Sequence, residues 1–340
     1  MNNLALLPII PDTKGYWLVR TQGGRYYSDY RKNGFIAINW DDITVDNINE
    51  LSDKELVEMV KSYYPDKPNA SRTANQLRIF AKNIKKGDVV LITGYSSNVV
   101  SVGEVLDDQP FVETIEQAAL EEDPKKCPFQ KRKRVKWLKD IHKWDLDKEL
   151  YKLLQHAQHT ISEADEYANA IERLIHNFFI RGNEAHLALQ VKKEGKIPMP
   201  SFFLMGAEII ELAEEFNDFS ETYDIDLDGV DLKVNVNSPG KITFTGPIAV
   251  ITVIGLLLLT LNGGSFSIPL QVFGGEPVSV NMNGMLKEIT DFWDHKQSRD
   301  QKELILKTYM ADLEVKTPEE LAKLLEAVDP PASSEKTSEK

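Results

Sequence analysis

Trp17, Trp40 and Tyr95, with Arg20 nearby in the first of three short apolar runs, are the residues of this chain best suited to a defined piece of chemistry. A base taken out of its stack needs flat apolar walls for its faces and a few fixed donors for its edge. Tryptophan and tyrosine supply the walls and arginine the donors. Each stacked base contributes about 1–3 kcal/mol, enough to select an unstacked nucleotide. The four residues are therefore a candidate nucleic-acid pocket. The competing expectation is that Trp17 and Trp40 are core residues of a small β-barrel.

A second set lies in the run from Lys125 to Lys139, which holds no carboxylate although the chain has excess acid. Its members Lys131, Arg132, Arg134 and Lys136 are candidate phosphate contacts, with aromatics among them. Strand alternation sends Arg132, Arg134 and Lys136 to one face and Val135 and Trp137 to the other, into a core. The plainer expectation is a solvated charged face.

Other constellations are weaker. Asp224-Ile225-Asp226-Leu227-Asp228-Gly229 matches the first half of a calcium-binding EF-hand loop, but Asn235 stands where a bidentate glutamate is required. Asp231-Leu232-Lys233 fits half of a metal-dependent nuclease core, with Asp218 the only convenient acidic partner. His156 and His159 are three apart without an accompanying cysteine and are expected at the surface or in helix packing. There is no glycine-rich phosphate loop, no GxSxG elbow and no Cys–His nucleophile pair. No catalytic residue, metal ligand or cofactor is assigned.

Phe244–Leu261 is uncharged and apolar over 18 residues, the lower end of what a membrane-spanning helix needs. The strand-like segments Lys241–Phe244 and Phe266–Phe273 on either side suggest instead a buried or oligomer-interface helix. Both expectations stand at this level, together with membrane entry only after activation.

Composition bounds the rest. A formal net charge of −13 over 340 residues argues against general adhesion to polyanions, so nucleic-acid contact requires a local basic patch. The one cysteine, Cys127, excludes an internal disulfide and a cysteine-rich zinc site and fits a cytoplasmic compartment. No secretory leader is recognisable at the N-terminus. Residues 330–340 have nothing apolar to bury beyond one alanine and read as a disordered tail.

The elements that must position these residues form an α+β pattern. Residues 1–13 are an extended lead-in, and residues 14–150 are strand-rich. They include helices near Asp53–Tyr63, capped by Ser52, and near Arg72–Asn83, strands at Val89–Thr93 and Val99–Leu106 around the loop Gly94–Asn98, and a closing strand at Lys133–Leu138. From Asp147 the period becomes helical. A connector over residues 151–180 includes a helix capped by Ser162, and the domain boundary falls near residue 180. Residues 181–329 form a smaller α+β domain with a helix at Met205–Phe216, strands at Leu232–Val236, Lys241–Phe244, Phe266–Phe273 and Val278–Met282, and helices at Met285–Tyr309 and Pro318–Ala327.

The order Tyr16–Arg20, Gly34–Trp40, Lys86–Leu91, Val102–Val105 and Lys133–Trp137 resembles the EVE-like branch of the PUA superfamily, as found at the N-termini of some modification-dependent restriction endonucleases. The resemblance covers residues 14–150, and the order of the pieces carries it. It implies a small β-barrel that receives a modified base, with Trp17, Arg20, Trp40 and Tyr95 at its pocket. It also implies a setting in bacterial anti-phage defence. The resulting expectation is a non-enzymatic sensor of modified or unstacked nucleic acid that signals to a C-terminal half able to oligomerise or act on a membrane. The alternatives are a metal-dependent nuclease using Asp231–Lys233 and a structural interaction protein whose aromatic residues are all core.

Overall fold

The computed structural model describes residues 7–66, 68–156, 159–235, 240–261, 282–294 and 300–322. The chain forms two compact units, Thr13–Ile175 and a second made of the residues before Thr13 together with those from His176 onward. β1 (Ile9–Ile10) accordingly belongs to the second unit, where Ile9 pairs in parallel with Ile180. Within the expected extended lead-in, Ile9–Ile10 thus form an edge strand.

The first unit runs β2 (Tyr16–Val19), α1 (Tyr27–Asn33), β3 (Phe35–Ile38), α2 (Val45–Glu50), α3 (Asp53–Tyr63), α4 (Ala70–Arg78), β4 (Val89–Thr93), β5 (Val99–Val105), β6 (Phe111–Val112), α5 (Gln117–Glu122), β7 (Lys131–His142), α6 (Lys148–His156), β8 (Ile161–Glu163) and α7 (Ala168–Ile175). The Ser52 hydroxyl caps α3 and the Glu55 side chain reaches back to the Ser52 amide, a reciprocal capping box that satisfies two otherwise orphaned donors.

The strands form a curled half-barrel in the order β3-β7-β5-β4-β2-β8, with β6 added on β7. The long strand β7 makes the curl. Its first residues pair with β3, and from Val135 onward it pairs with β5 across a register shift at Val102–Gly103. A β-carbon on Gly103 would come within 2.5 Å of Val135 Cγ1 and 2.6 Å of Trp137 Cε3, so only glycine fits at this bulge.

All four residues of β2 are buried because both faces of the sheet are covered. Alternation sends Trp17 and Val19 into one core with Phe80, Val90 and Ile92. Tyr16 and Leu18 go into another with Leu91, Val102, Leu150 and Ile171. Helices α6 and α7 close that second face, which corrects the expected connector: residues 151–175 complete the first unit, and the boundary lies at 175 rather than 180. Ser162 caps no helix. It lies in β8, where Leu18 pairs with it along the free edge of β2.

The second unit continues with β9 (Phe178–Arg181), β10 (Glu184–Val191), α8 (Met199–Phe219), β11 (Asp231–Asn235), β12 (Gly240–Pro247), α9 (Ile248–Thr260), α10 (Met282–Asp294), α11 (Asp300–Asp312) and β13 (Val315–Lys316). Its sheet runs β1-β9-β10-β12-β11, with β13 also on β10. The helix expected over Met285–Tyr309 is two helices, α10 and α11. The expected strand Phe266–Phe273, nearly all of Val278–Met282, the latter part of the helix Pro318–Ala327 and the tail 330–340 fall outside the described residues.

The apolar segment Phe244–Leu261 is not one helix. It finishes β12 at Pro247 and continues as α9, a helix of 13 residues buried against β10 and β12. At 1.5 Å per residue α9 extends about 20 Å, short of the ~30 Å hydrocarbon core of a bilayer. No described helix is long and apolar enough to cross a membrane. Of the expectations for 244–261, the described residues show the end of a strand followed by a helix buried in the core of its own unit.

Candidate nucleic-acid site

The parallel strands β2 and β4 run side by side in register from Tyr16↔Val89 to Val19↔Ile92 and stop together. Their ends are tied by the buried Thr21, whose hydroxyl donates to the carbonyl of Thr93 at 2.6 Å. Beyond Thr21 the chain passes through Gln22, Gly23 and Gly24, all in the left-handed region. Gly24, at φ +95°, has no room for a side chain: a β-carbon there would lie 2.4 Å from the backbone nitrogen of Tyr95. The loop after β2 thus presses directly on the loop after β4.

That second loop, Gly94–Asn98, contains a short helical turn in which Ser96 and Ser97 also hold positive φ, at +51° and +53°. Such conformations cost roughly 1–3 kcal/mol each outside glycine and gather at ligand-holding loops. Between the two loops lies a cavity of about 200 Å³ with Leu18 and Leu154 as apolar walls and Arg20, Thr21, Ser96 and Ser97 as polar lining. No carboxylate lines it. The exposed guanidinium of Arg20 makes no ion pair among the described residues. The site can therefore take a small polar or anionic group beside a flat apolar one.

The expected pocket of three aromatics is not assembled, and β2 supplies the reason. Leu18 and Arg20 share the face that holds the cavity, whereas Trp17 points the other way. Trp17 is 7% exposed in the core, and its indole N–H donates to Asp88 Oδ2 at 2.9 Å. Trp40, at the end of β3 with φ +67°, packs against that same core. Tyr95 is 59% exposed, in the loop between the lining residues Gly94 and Ser96. Of the four aromatic and cationic residues singled out in the sequence, Arg20 alone lines this cavity, while Tyr95 sits in the loop that borders it.

The basic run is also corrected. Arg134 and Lys136 are exposed and Val135 and Trp137 turn inward, as alternation requires, but Lys131, Arg132 and Lys133 are all buried. Lys131 Nζ donates to the carbonyl of Trp40 and to Asp41. Arg132 stacks its guanidinium 4.0 Å over the Phe35 ring. It also bonds to the carbonyls of Cys127 and Phe129 and to Glu113. Lys133 Nζ donates to the carbonyls of Ile84 and Asp108 at 2.6 and 2.7 Å. These heads are consumed by backbone oxygens, because β7 is covered on both faces where it meets β3 and β6. Burial pushes the Lys133 ammonium down to about 8, the nearby Lys85 adding to the effect. Arg134 forms a forked pair with Asp107. Of the four candidate phosphate contacts Lys131, Arg132, Arg134 and Lys136, only the last two are exposed, and Arg134 is already held by Asp107.

The sequence reading missed the hydroxyls of Thr21, Ser96 and Ser97 and an exposed Trp144. The signal for Trp144 was its setting in Lys143-Trp144-Asp145, where it has charged neighbours on both sides. The weaker constellations also resolve. Asp226 accepts from the Asp228 amide and caps a short turn. Asp218 and Asp231 are both exposed, and no three His, Cys, Asp or Glu groups converge among the described residues. His159 is exposed, while the side chain of His156 is outside the described residues.

Residues 16–164 match a family described as a domain of unknown function, DUF8426. The match spans β2 to just past β8, less than half of the chain, and so contains both loops of the cavity and most of the first unit. No curated protein and no solved structure matches the chain.

Proposed function

We propose that the unit Thr13–Ile175 is a non-enzymatic, EVE-like recognition module of the PUA superfamily that takes one unstacked nucleotide of a nucleic acid into the cavity between the 20–24 and 94–98 loops. The observation that carries this reading is Arg20: an exposed guanidinium without an ion pair among the described residues, on the wall of a cavity with hydroxyls and no acid. In a chain of net charge −13, such a site selects an anionic ligand locally. Tyr95, exposed in the loop between the lining residues Gly94 and Ser96, is the ring on which a base would stack in this reading.

In the same reading, the second unit answers recognition by self-association. Met199, Phe203 and Ile210 lie exposed along α8 at helical spacing, an apolar stripe suited to a second copy.

Fluorescence anisotropy with single-stranded oligonucleotides tests the module. Arg20→Ala is expected to weaken binding at least tenfold and to lower the salt slope by about 0.7, the effect of one phosphate contact on a single strand. An unchanged affinity and slope would remove Arg20 from the site.

A second reading, an interaction protein without a nucleic-acid ligand, is favoured by the packing of both Trp17 and Trp40 against the core. It predicts that the wild type binds no oligonucleotide, modified or not.

A further inference from the structure

Trp144 is 68% exposed, the most exposed tryptophan or tyrosine among the described residues. An indole usually buries its large apolar surface and finds a partner for its N–H. Here it is held out in solvent by a turn that is itself firmly fixed. The turn Lys143–Asp145 follows β7 directly. The Lys143 amide donates to the carbonyl of Asn98 at 2.9 Å. The Tyr151 hydroxyl bonds to the Lys143 carbonyl, and Leu146 anchors the exit in the core.

These bonds tie Trp144 to the loop whose Ser96 and Ser97 line the cavity. Counting one peptide on each side of the Lys143–Asn98 bond, the Cα atoms of Trp144 and Ser97 are no more than about 13 Å apart. That is the reach of a few nucleotides. Helix α6 then leads from this turn back to the cavity wall at Leu154.

The charge around this path favours a polyanion. Asp147 and Glu149 both pair with Arg173, which offsets one of their two charges, and Asp140 pairs with Arg31. Lys143 lies over the Tyr151 ring, and Lys148 and Lys152 are exposed one turn apart on α6. Asp145 and one charge of the Asp147–Glu149 pair remain against Lys143, Lys148 and Lys152.

We infer that Trp144 is a second stacking platform, on which a single-stranded nucleic acid leaving the cavity lays a further base. This rests on the nucleotide-binding reading of the cavity and extends it from one nucleotide to a short strand. The bonds to Lys143 fix the backbone that carries Trp144 before the ligand arrives, so little backbone freedom is lost on binding.

The test uses the full-length protein and single-stranded thymidine oligomers of one, two, four and eight nucleotides. Wild-type affinity is expected to rise with length, and Trp144→Ala to weaken the octamer by about 5- to 150-fold, the fold-change of one stacked base, while the mononucleotide binds as before. Trp144→Phe should restore most of the loss, which a merely structural role for the indole would not produce. Arg20→Ala should weaken every length. If Trp144→Ala binds the octamer like wild type while Arg20→Ala does not, the platform is refuted and the cavity reading stands. If it weakens all lengths equally, Trp144 acts on the cavity and the platform is again refuted. Wild type that binds no oligomer overturns both readings.

Discussion

The indole N–H of Trp17 donates to Oδ2 of Asp88 at 2.9 Å, and this bond holds the ring on the face of β2 opposite the cavity. Asp88 is buried and accepts also from the amides of Gly15 and Lys85, so one carboxylate joins the start of β2 to the turn before β4.

Asp88→Ala would leave these donors without their acceptor. A buried donor stripped of its partner costs about 1–3 kcal/mol, and urea denaturation should show a loss of at least that size. Oligonucleotide affinity, measured where the variant is still folded, should stay near wild type because Asp88 does not line the cavity. An unchanged urea midpoint would mean that the donors are satisfied without it.

Arg132 and Arg134 should separate in their effects despite being two residues apart. Arg132→Met removes bonds to two backbone carbonyls and to Glu113, and is expected to destabilise the first unit by about 3 kcal/mol. Arg134→Met breaks an exposed pair with Asp107 and should leave the melting temperature close to wild type. Equal effects on melting would contradict the burial of Arg132.

Lys133 gives a pH signature. Its folded value is lowered to about 8 by burial, against an ordinary value of 10.5. Between those values the unfolded chain binds the proton and the folded one does not, so this residue makes stability rise with pH across that window. Other groups titrate there too, so the useful quantity is the stability of wild type minus that of Lys133→Met. That difference should increase from about pH 8 to pH 10.5, and a flat or falling difference would refute the shift.

Ile254 lies on α9 and is buried in the core of the second unit. Ile254→Arg places an unpaired charge there and should destabilise that unit by about 3–5 kcal/mol. Limited proteolysis should then cut residues 176–340 first. Resistance equal to wild type would show that this face of α9 is not packed as a core.

Much of the local structure was legible because it depends on neighbours in sequence. Ser52 announces the start of α3, the apolar runs announce β4 and β5, and Gly94–Asn98 is a turn by composition. Arg20 and Tyr95 were identifiable as residue types that a nucleotide site would use. The helical period after Asp147 was visible too, but not which sheet face its leucines would close.

What tertiary structure decided was direction and company. Alternation is legible, yet the sequence does not say which face of β2 carries the cavity, so Trp17 and Arg20 could be grouped on paper although they point apart. Lys131, Arg132 and Lys133 look like a solvated run until β3 and β6 flank the strand and carbonyls from distant loops meet their charged ends. Likewise, 18 uncharged residues are equally suited to a bilayer or a core. Pro247 marks where β12 ends and α9 begins, and pairing of β12 with β10 and β11 places that helix inside its own unit. Burial is settled by what packs from elsewhere in the chain, and hydrophobicity alone does not specify that partner.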